Sequence, residues 1–195
     1  IKIHTWKHFL NTTEKKRKLT ERAREYLTHE VLSATKATRN RLRVVERELH
    51  RAITERAAPT KTVQLYTLGG GTCRALLNVL KHMQDDEGVP ALEITSVDID
   101  PTAHKAGEKL ATELGFARYF KRLQSSVLDG SIYPAPGRVD IMEILGLLDY
   151  LDDATATTVL SLARTALTEG GVIVAANVRP TAESVFYRKI GWPPM

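Results

Sequence analysis

The sequence predicts an α/β fold, a doubly wound and mostly parallel sheet, preceded by an N-terminal helical extension. Three observations carry that reading. After residue 60, short apolar runs alternate with helical patterns along the rest of the chain. The first of these runs ends in three glycines, Leu68-Gly69-Gly70-Gly71, and a helical pattern starts at once. The second, Leu92-Glu-Ile-Thr-Ser-Val97, ends in Asp98-Ile99-Asp100-Pro101 and so sets a carboxylate at a strand tip. Strand-helix alternation gives right-handed crossovers and helices on both faces of a sheet.

The elements follow in order. Residues 1–60 hold no glycine and one proline, Pro59, and read as helical. One segment places Leu19, Ala23, Tyr26, Leu27 and Val31 near one face. A second repeats Leu42, Val45, Leu49 and Ile53 at three- and four-residue spacing, with Arg and Glu between. Each apolar stripe needs a cover: the other helix, the sheet or a second copy of the chain. Ala57-Ala-Pro-Thr60 is the expected linker, dividing a cap over 1–58 from a core over 59–195. Strand 63–68 is then followed by helix 72–84, strand 92–98 and helix 101–114. A weaker strand over 118–123 leads through a loop to strand 139–145. A helix over 153–168 is expected to stop at Glu169-Gly170-Gly171, before strand 172–178 and a helical stretch over 181–190.

Composition excludes several classes. Of 195 residues, 43% are hydrophobic and 26% charged, ordinary for a globular chain. No apolar run reaches the length of a membrane span, and no secretory signal is visible, although the sequence starts at Ile1 rather than Met. A single cysteine, Cys73, leaves no intrachain disulfide and no multi-cysteine zinc site, and fits a reducing cytoplasm. The six histidines show no metal-ligand spacing, so no metal is expected. Residues 1–60 carry a balance of +8 and the remainder −3. The basic part reads as a solvated helix face, with a nucleic-acid surface on Lys15-Lys-Arg-Lys18, Arg39, Arg41 and Arg43 as the sharper alternative.

The glycine turn lets a backbone approach a ligand closely, and Asp98 at the second strand tip can accept both hydroxyls of a ribose. Four pieces together carry a family resemblance over about residues 62 to 190. Leu68-Gly69-Gly70-Gly71-Thr72 is similar to the glycine turn of class I S-adenosylmethionine-dependent methyltransferases. Val97-Asp98-Ile99-Asp100-Pro101 resembles their ribose-binding strand end. Val139-Asp-Ile-Met-Glu-Ile-Leu-Gly-Leu-Leu-Asp-Tyr-Leu151 resembles their fourth strand and the helix approach after it. Leu167-Thr-Glu-Gly-Gly-Val-Ile-Val174 resembles the lead into their fifth strand.

The resemblance implies a Rossmann-like core that binds S-adenosylmethionine and transfers its methyl group to an acceptor. It implies Gly69, Gly70 and Gly71 against the ligand, Asp98 on the ribose, Ile99 on the adenine face, Ser126 and Val127 beside the ring, and Leu145 at the fourth strand end. Thr67, Cys73 and Ser126 stand where the family commonly has an acid, a glycine and an acid. Each loss is expected to weaken binding by about 1 kcal/mol. The family's sheet usually continues into an antiparallel C-terminal hairpin, which this chain is expected to lack.

Gly69-Gly-Gly71 with Arg74 and Val79-Leu-Lys-His82 also resembles the aminopropyltransferases, whose turn continues Asp-Gly-Gly as this one does not. A nicotinamide enzyme is disfavoured, because the third glycine of its fingerprint would be Arg74. A third reading is a non-catalytic relative that uses the fold for binding or self-association. Methyl transfer from a sulfonium needs little acid–base help, so no catalytic residue is assigned. Acceptor-side candidates are Tyr66, Glu143, Leu145, Gly146, Asp149, Tyr150, Asn177 and Arg179, with Trp6, Phe9, Tyr26 and Leu27 in a cover over the cleft. A small-molecule acceptor is favoured over nucleic acid, no membrane partner is expected, and homo-oligomers are compatible with the pattern.

Overall fold

The structure is a computed structural model, and it describes residues 33–86 and 88–177. Helix α1 (Ser33–Arg56) opens the described chain. It is followed by β1 (Val63–Leu68), α2 (Arg74–Asp86), β2 (Leu92–Asp98), α3 (Pro101–Glu113), β3 (Phe120–Gln124), β4 (Val139–Leu145), α4 (Asp153–Ala166) and β5 (Leu167–Ala176). The strands form one sheet in the order β3-β2-β1-β4-β5. Every pairing is parallel. The sheet therefore reverses its winding between β1 and β4, the place where open α/β sheets receive ligands at the carboxyl ends of their strands.

The two sheet faces bury separate clusters. On one, Val45, Leu49, Ala52 and Ile53 of α1 and Leu76, Leu77, Leu80 and Met83 of α2 pack on Val63, Leu65, Ile94 and Ile141. On the other, Val159, Ala163 and Ala166 of α4 cover Leu68, Val97, Val139, Met142 and Ile144. The apolar stripe of α1 thus finds its cover in the sheet. Leu49 and Ile53 are fully buried there, each contributing roughly 1.5–3 kcal/mol of burial. The linker closes through an Ala58–Lys61 bridge. Lys61 then pairs with Asp140 at 2.7 Å, which also accepts the Gln64 N–H at 2.9 Å.

Three boundaries differ from expectation. Helix α2 starts at Arg74, because Cys73 adopts a left-handed conformation (φ 55) that no helix tolerates. Residues 117–119 form a short 3-10 turn, so β3 starts at Phe120. Helix α4 ends at Ala166, and Gly170-Gly171 does not cap it. Leu167 already pairs with Val139, and the glycines fall inside β5, where the register shifts before Ile141 meets Val172. Gly170 turns left-handed there (φ 72) and its carbonyl accepts from Arg56 at 2.6 Å. The expected helices before residue 33 and over 181–190, with Trp6, Phe9, Tyr26, Leu27 and Arg179, lie outside the described residues, as does the expectation concerning a C-terminal hairpin. Among the described residues no helix is long and apolar enough to cross a membrane.

Candidate functional site

The turn after β1 is held by β2. The N–H groups of Gly69 and Gly70 both donate to the Val97 carbonyl, at 2.9 and 3.2 Å. Gly69 (φ 64) and Gly71 (φ 54) take conformations that suit glycine. At Gly70 a different constraint rules: an added Cβ would lie 2.6 Å from Thr67 Oγ1 and 3.0 Å from Ser96 Oγ. At Gly71 an added Cβ would meet nothing within 4 Å, so this part of the turn faces open space.

Asp98 fastens the turn to the second strand tip. Its Oδ2 accepts the Gly71 N–H at 2.8 Å and its Oδ1 accepts the Asp100 N–H at 2.9 Å. Asp100 in turn caps α3 by accepting from Thr102 N–H, with Pro101 at the first helical position. Ile99, between the two carboxylates, is 70% exposed. The Ser125 N–H donates to the Asp98 carbonyl at 3.1 Å and so draws the loop after β3 alongside. That loop carries Ser126, whose hydroxyl accepts the Leu128 N–H, and Val127, whose carbonyl accepts from Tyr133. Asp129 is committed locally: bonds from Ser131, then Ser125, hold its carboxyl below the usual range.

The glycine turn, Asp98, Ile99, Ser126 and Val127 therefore lie along neighbouring strand tips, β1 to β3. Leu145 lies across the switch point at the end of β4, half-buried and packed into the cluster under α1 and α2. Leu147, two residues on, approaches the turn, since a Cβ on Gly69 would sit 3.1 Å from its Cδ1. Tyr66 packs toward the opposite sheet face. Tyr150 is 64% exposed beyond β4 and Asn177 is exposed beyond β5.

Beneath the turn runs a polar row that the sequence pattern does not announce. Arg122 of β3, Ser96 of β2, Thr67 of β1 and Glu143 of β4 are paired in register across four strands. Ser96 accepts from the Cys73 thiol at 3.1 Å, and Arg122 approaches the same sulfur at 4.0 Å. Burial pushes that thiol up to about 11, which removes it as a nucleophile. Glu143 is 2% exposed, and burial raises its carboxyl to about 7, opposed by the Thr67 hydroxyl. Thr67 Oγ1 nevertheless makes no well-formed hydrogen bond, so the two groups approach without bonding.

Two residues escaped the sequence reading. His104 of α3 is buried, and its Nε2 lies 3.0 Å from the Asp98 carbonyl and 3.2 Å from that of Leu123. It clasps the tips of β2 and β3. Arg41, expected on an exposed basic face with Arg39 and Arg43, turns inward. Its NH1 lies 3.5 Å from Asp149 Oδ2, and both terminal nitrogens lie over Gly146 at the end of β4. Arg41 lies four residues before Val45 and eight before Leu49, in line with the buried stripe of α1, and that spacing is the signal that could have found it.

Two depressions sit away from these tips. One, of about 210 Å³, lies between α3 and β3 and includes Glu108, Phe120 and Arg122. The other, of about 310 Å³, lies at the opposite sheet end around Arg56, Lys61 and Asp140. Among the described residues no three metal-ligating side chains converge.

No protein-family model and no curated protein matches the chain. Solved structures do. A possible exported protein of Bordetella parapertussis superposes with a TM-score of 0.68 at 24% identity, over 90% of this chain and 54% of that one. The CurJ carbon methyltransferase gives 0.60 at 17% identity, over 82% and 40%. A geranyl diphosphate methyltransferase in complex with geranyl diphosphate and sinefungin gives 0.51 at 19% identity, over 67% and 43%. The fold is that of the class I methyltransferases, and the chain spans between two fifths and a little over half the length of these structures.

Proposed function

We propose that this chain binds S-adenosylmethionine across the tips of β1, β2 and β3 and supports methyl transfer to a small-molecule acceptor. The observation that carries the reading is the junction of Asp98 with the glycine turn, beside an exposed Ile99. Each Asp98 oxygen accepts one backbone N–H and keeps a lone pair for a ribose hydroxyl. The open space at Gly71 admits a ligand against the backbone. Ile99 offers an apolar face for a purine, and Ser126 and Val127 flank it from the next strand. The residues present therefore fit an adenosyl group.

When bound, the cofactor supplies an already activated methyl on a sulfonium. The protein's part is to bind, orient and exclude water. Three of the exposed large apolar side chains, Ile99, Leu128 and Tyr150, stand on loops at the carboxyl ends of β2, β3 and β4. That apolar rim suits a small organic acceptor better than a nucleic-acid backbone, and Arg41 is withdrawn from the basic face on which nucleic-acid binding would rest. Titration calorimetry with S-adenosylmethionine and S-adenosylhomocysteine tests the reading. Saturable binding is expected for both. No heat with either at millimolar ligand would leave a non-catalytic binding module as the better account.

A further inference from the structure

We propose that His104 is a positioning residue for the adenosyl site: its ring joins the tips of β2 and β3, and so holds Asp98 and the Ser126–Val127 loop at the spacing one ligand requires. This rests on the cofactor reading above. His104 lies in the first turn of α3 and is 8% exposed. Its Nε2 faces the Asp98 carbonyl at 3.0 Å and the Leu123 carbonyl at 3.2 Å. Both oxygens can only accept, so the ring hydrogen is assigned to Nε2, which donates to the two. The carbonyls belong to neighbouring strands at the end of their shared ladder, whose last pair is Asp98 with Gln124. The backbone N–H of His104 donates to the Asp100 carbonyl at 3.2 Å, so the same residue also fixes α3 to the β2 tip.

The clasp acts on the groups that would meet the ligand. Asp98, held by its carbonyl, turns its carboxylate to the N–H groups of Gly71 and Asp100. The same carbonyl accepts the Ser125 N–H at 3.1 Å, the last residue before Ser126. Ser125 thus already satisfies that oxygen, and what the ring adds is the link between strands. Packing alone does not call for an imidazole here. Its Nδ1 is buried with no hydrogen-bond partner, and a buried acceptor left unmade is destabilising. An apolar side chain of that size would fill the space without the penalty. Buried as it is, His104 acts through Asp98 and the loop, whose placement to within a fraction of an ångström governs how well they bind.

Titration calorimetry with S-adenosylhomocysteine tests the proposal, on the full chain and at a temperature where melting curves show each variant folded. His104→Leu keeps the bulk and loses the donor. The amide of His104→Asn is too short to reach the Nε2 position, whereas that of His104→Gln reaches it. Affinity is expected to fall about tenfold in His104→Leu and His104→Asn, and to stay within about threefold of the wild type in His104→Gln. Asp98→Ala keeps the carbonyl that His104 holds and removes the carboxylate it places. In that background His104→Leu is expected to cost no more than about threefold, a coupling that a purely structural role would not produce. Where His104→Leu does not fold, His104→Asn takes its place in each comparison. Unchanged affinity in His104→Leu and His104→Asn would overturn the proposal. So would equal losses in all three variants, or a loss undiminished by Asp98→Ala. A wild-type chain that does not bind S-adenosylhomocysteine defeats the cofactor reading itself; binding by the wild type that ignores His104 defeats this inference alone.

Discussion

Asp98 accepts a hydrogen bond from the backbone N–H of Gly71, 27 residues before it, at 2.8 Å. The contact ties the turn after β1 to the tip of β2, and it shapes the site before any ligand arrives. Asp98→Ala removes this tie and the ribose acceptor together. Affinity for S-adenosylhomocysteine should fall at least tenfold, with a stability loss of about 1–2 kcal/mol, by calorimetry and urea denaturation. Unaltered affinity would place the ligand elsewhere.

The glycines of the turn should respond differently to alanine. Gly70→Ala drives a Cβ to 2.6 Å from Thr67 Oγ1 and should cost about 1–3 kcal/mol of stability. Gly71→Ala meets no atom and should cost only its left-handed backbone, about 1 kcal/mol. Combining Gly70→Ala with Thr67→Ala should restore part of the loss, a coupling readable from a double-mutant cycle of melting curves.

Glu143 sets a pH dependence of known sign. Its carboxyl is raised from 4.5 to about 7 by burial, so the folded state binds more protons than the unfolded state between those values. Its contribution is most favourable below the unfolded value, declines as pH rises toward 7 and is level above it. Glu143→Gln should flatten that decline. At pH 8 the variant should be more stable by up to about 3 kcal/mol, on the scale of 1.36 kcal/mol per pKa unit. Equal slopes for both proteins in denaturant titrations at pH 5, 6, 7 and 8 would mean that the carboxylate is solvated or paired.

Cys73 should be silent toward thiol reagents. It is buried and its thiol is pushed up to about 11. A colorimetric disulfide reagent at pH 8 should label it only as fast as the protein opens, and at once in guanidinium chloride. Rapid labelling of the native chain would show that the glycine turn opens readily.

Much of this arrangement was legible in the chain. The alternation of apolar runs and helical stripes located β1, β2, β4 and the helices between them, because period and turn chemistry are local properties. The glycine turn and Asp98 were equally plain, for a left-handed turn and a strand-tip carboxylate are written in consecutive residues. Boundaries failed where a long-range pairing outweighed a local signal. Gly170-Gly171 has the form of a helix stop, yet Val139 recruits Leu167 into the sheet and the glycines become a bulge. At Cys73 a side chain occupies a glycine's conformation, and the buried contact with Ser96 holds it there.

The sequence alone determined the sheet's content and the two strand ends that form the candidate cofactor site, since each is encoded within a few adjacent positions. Long-range packing set the rest: α1 covers the sheet, Arg122, Ser96, Thr67 and Glu143 stand abreast, and Arg41 overlies Gly146. Those relations join residues far apart in the chain, and their energies come from burial and parallel register, which no local window of sequence contains.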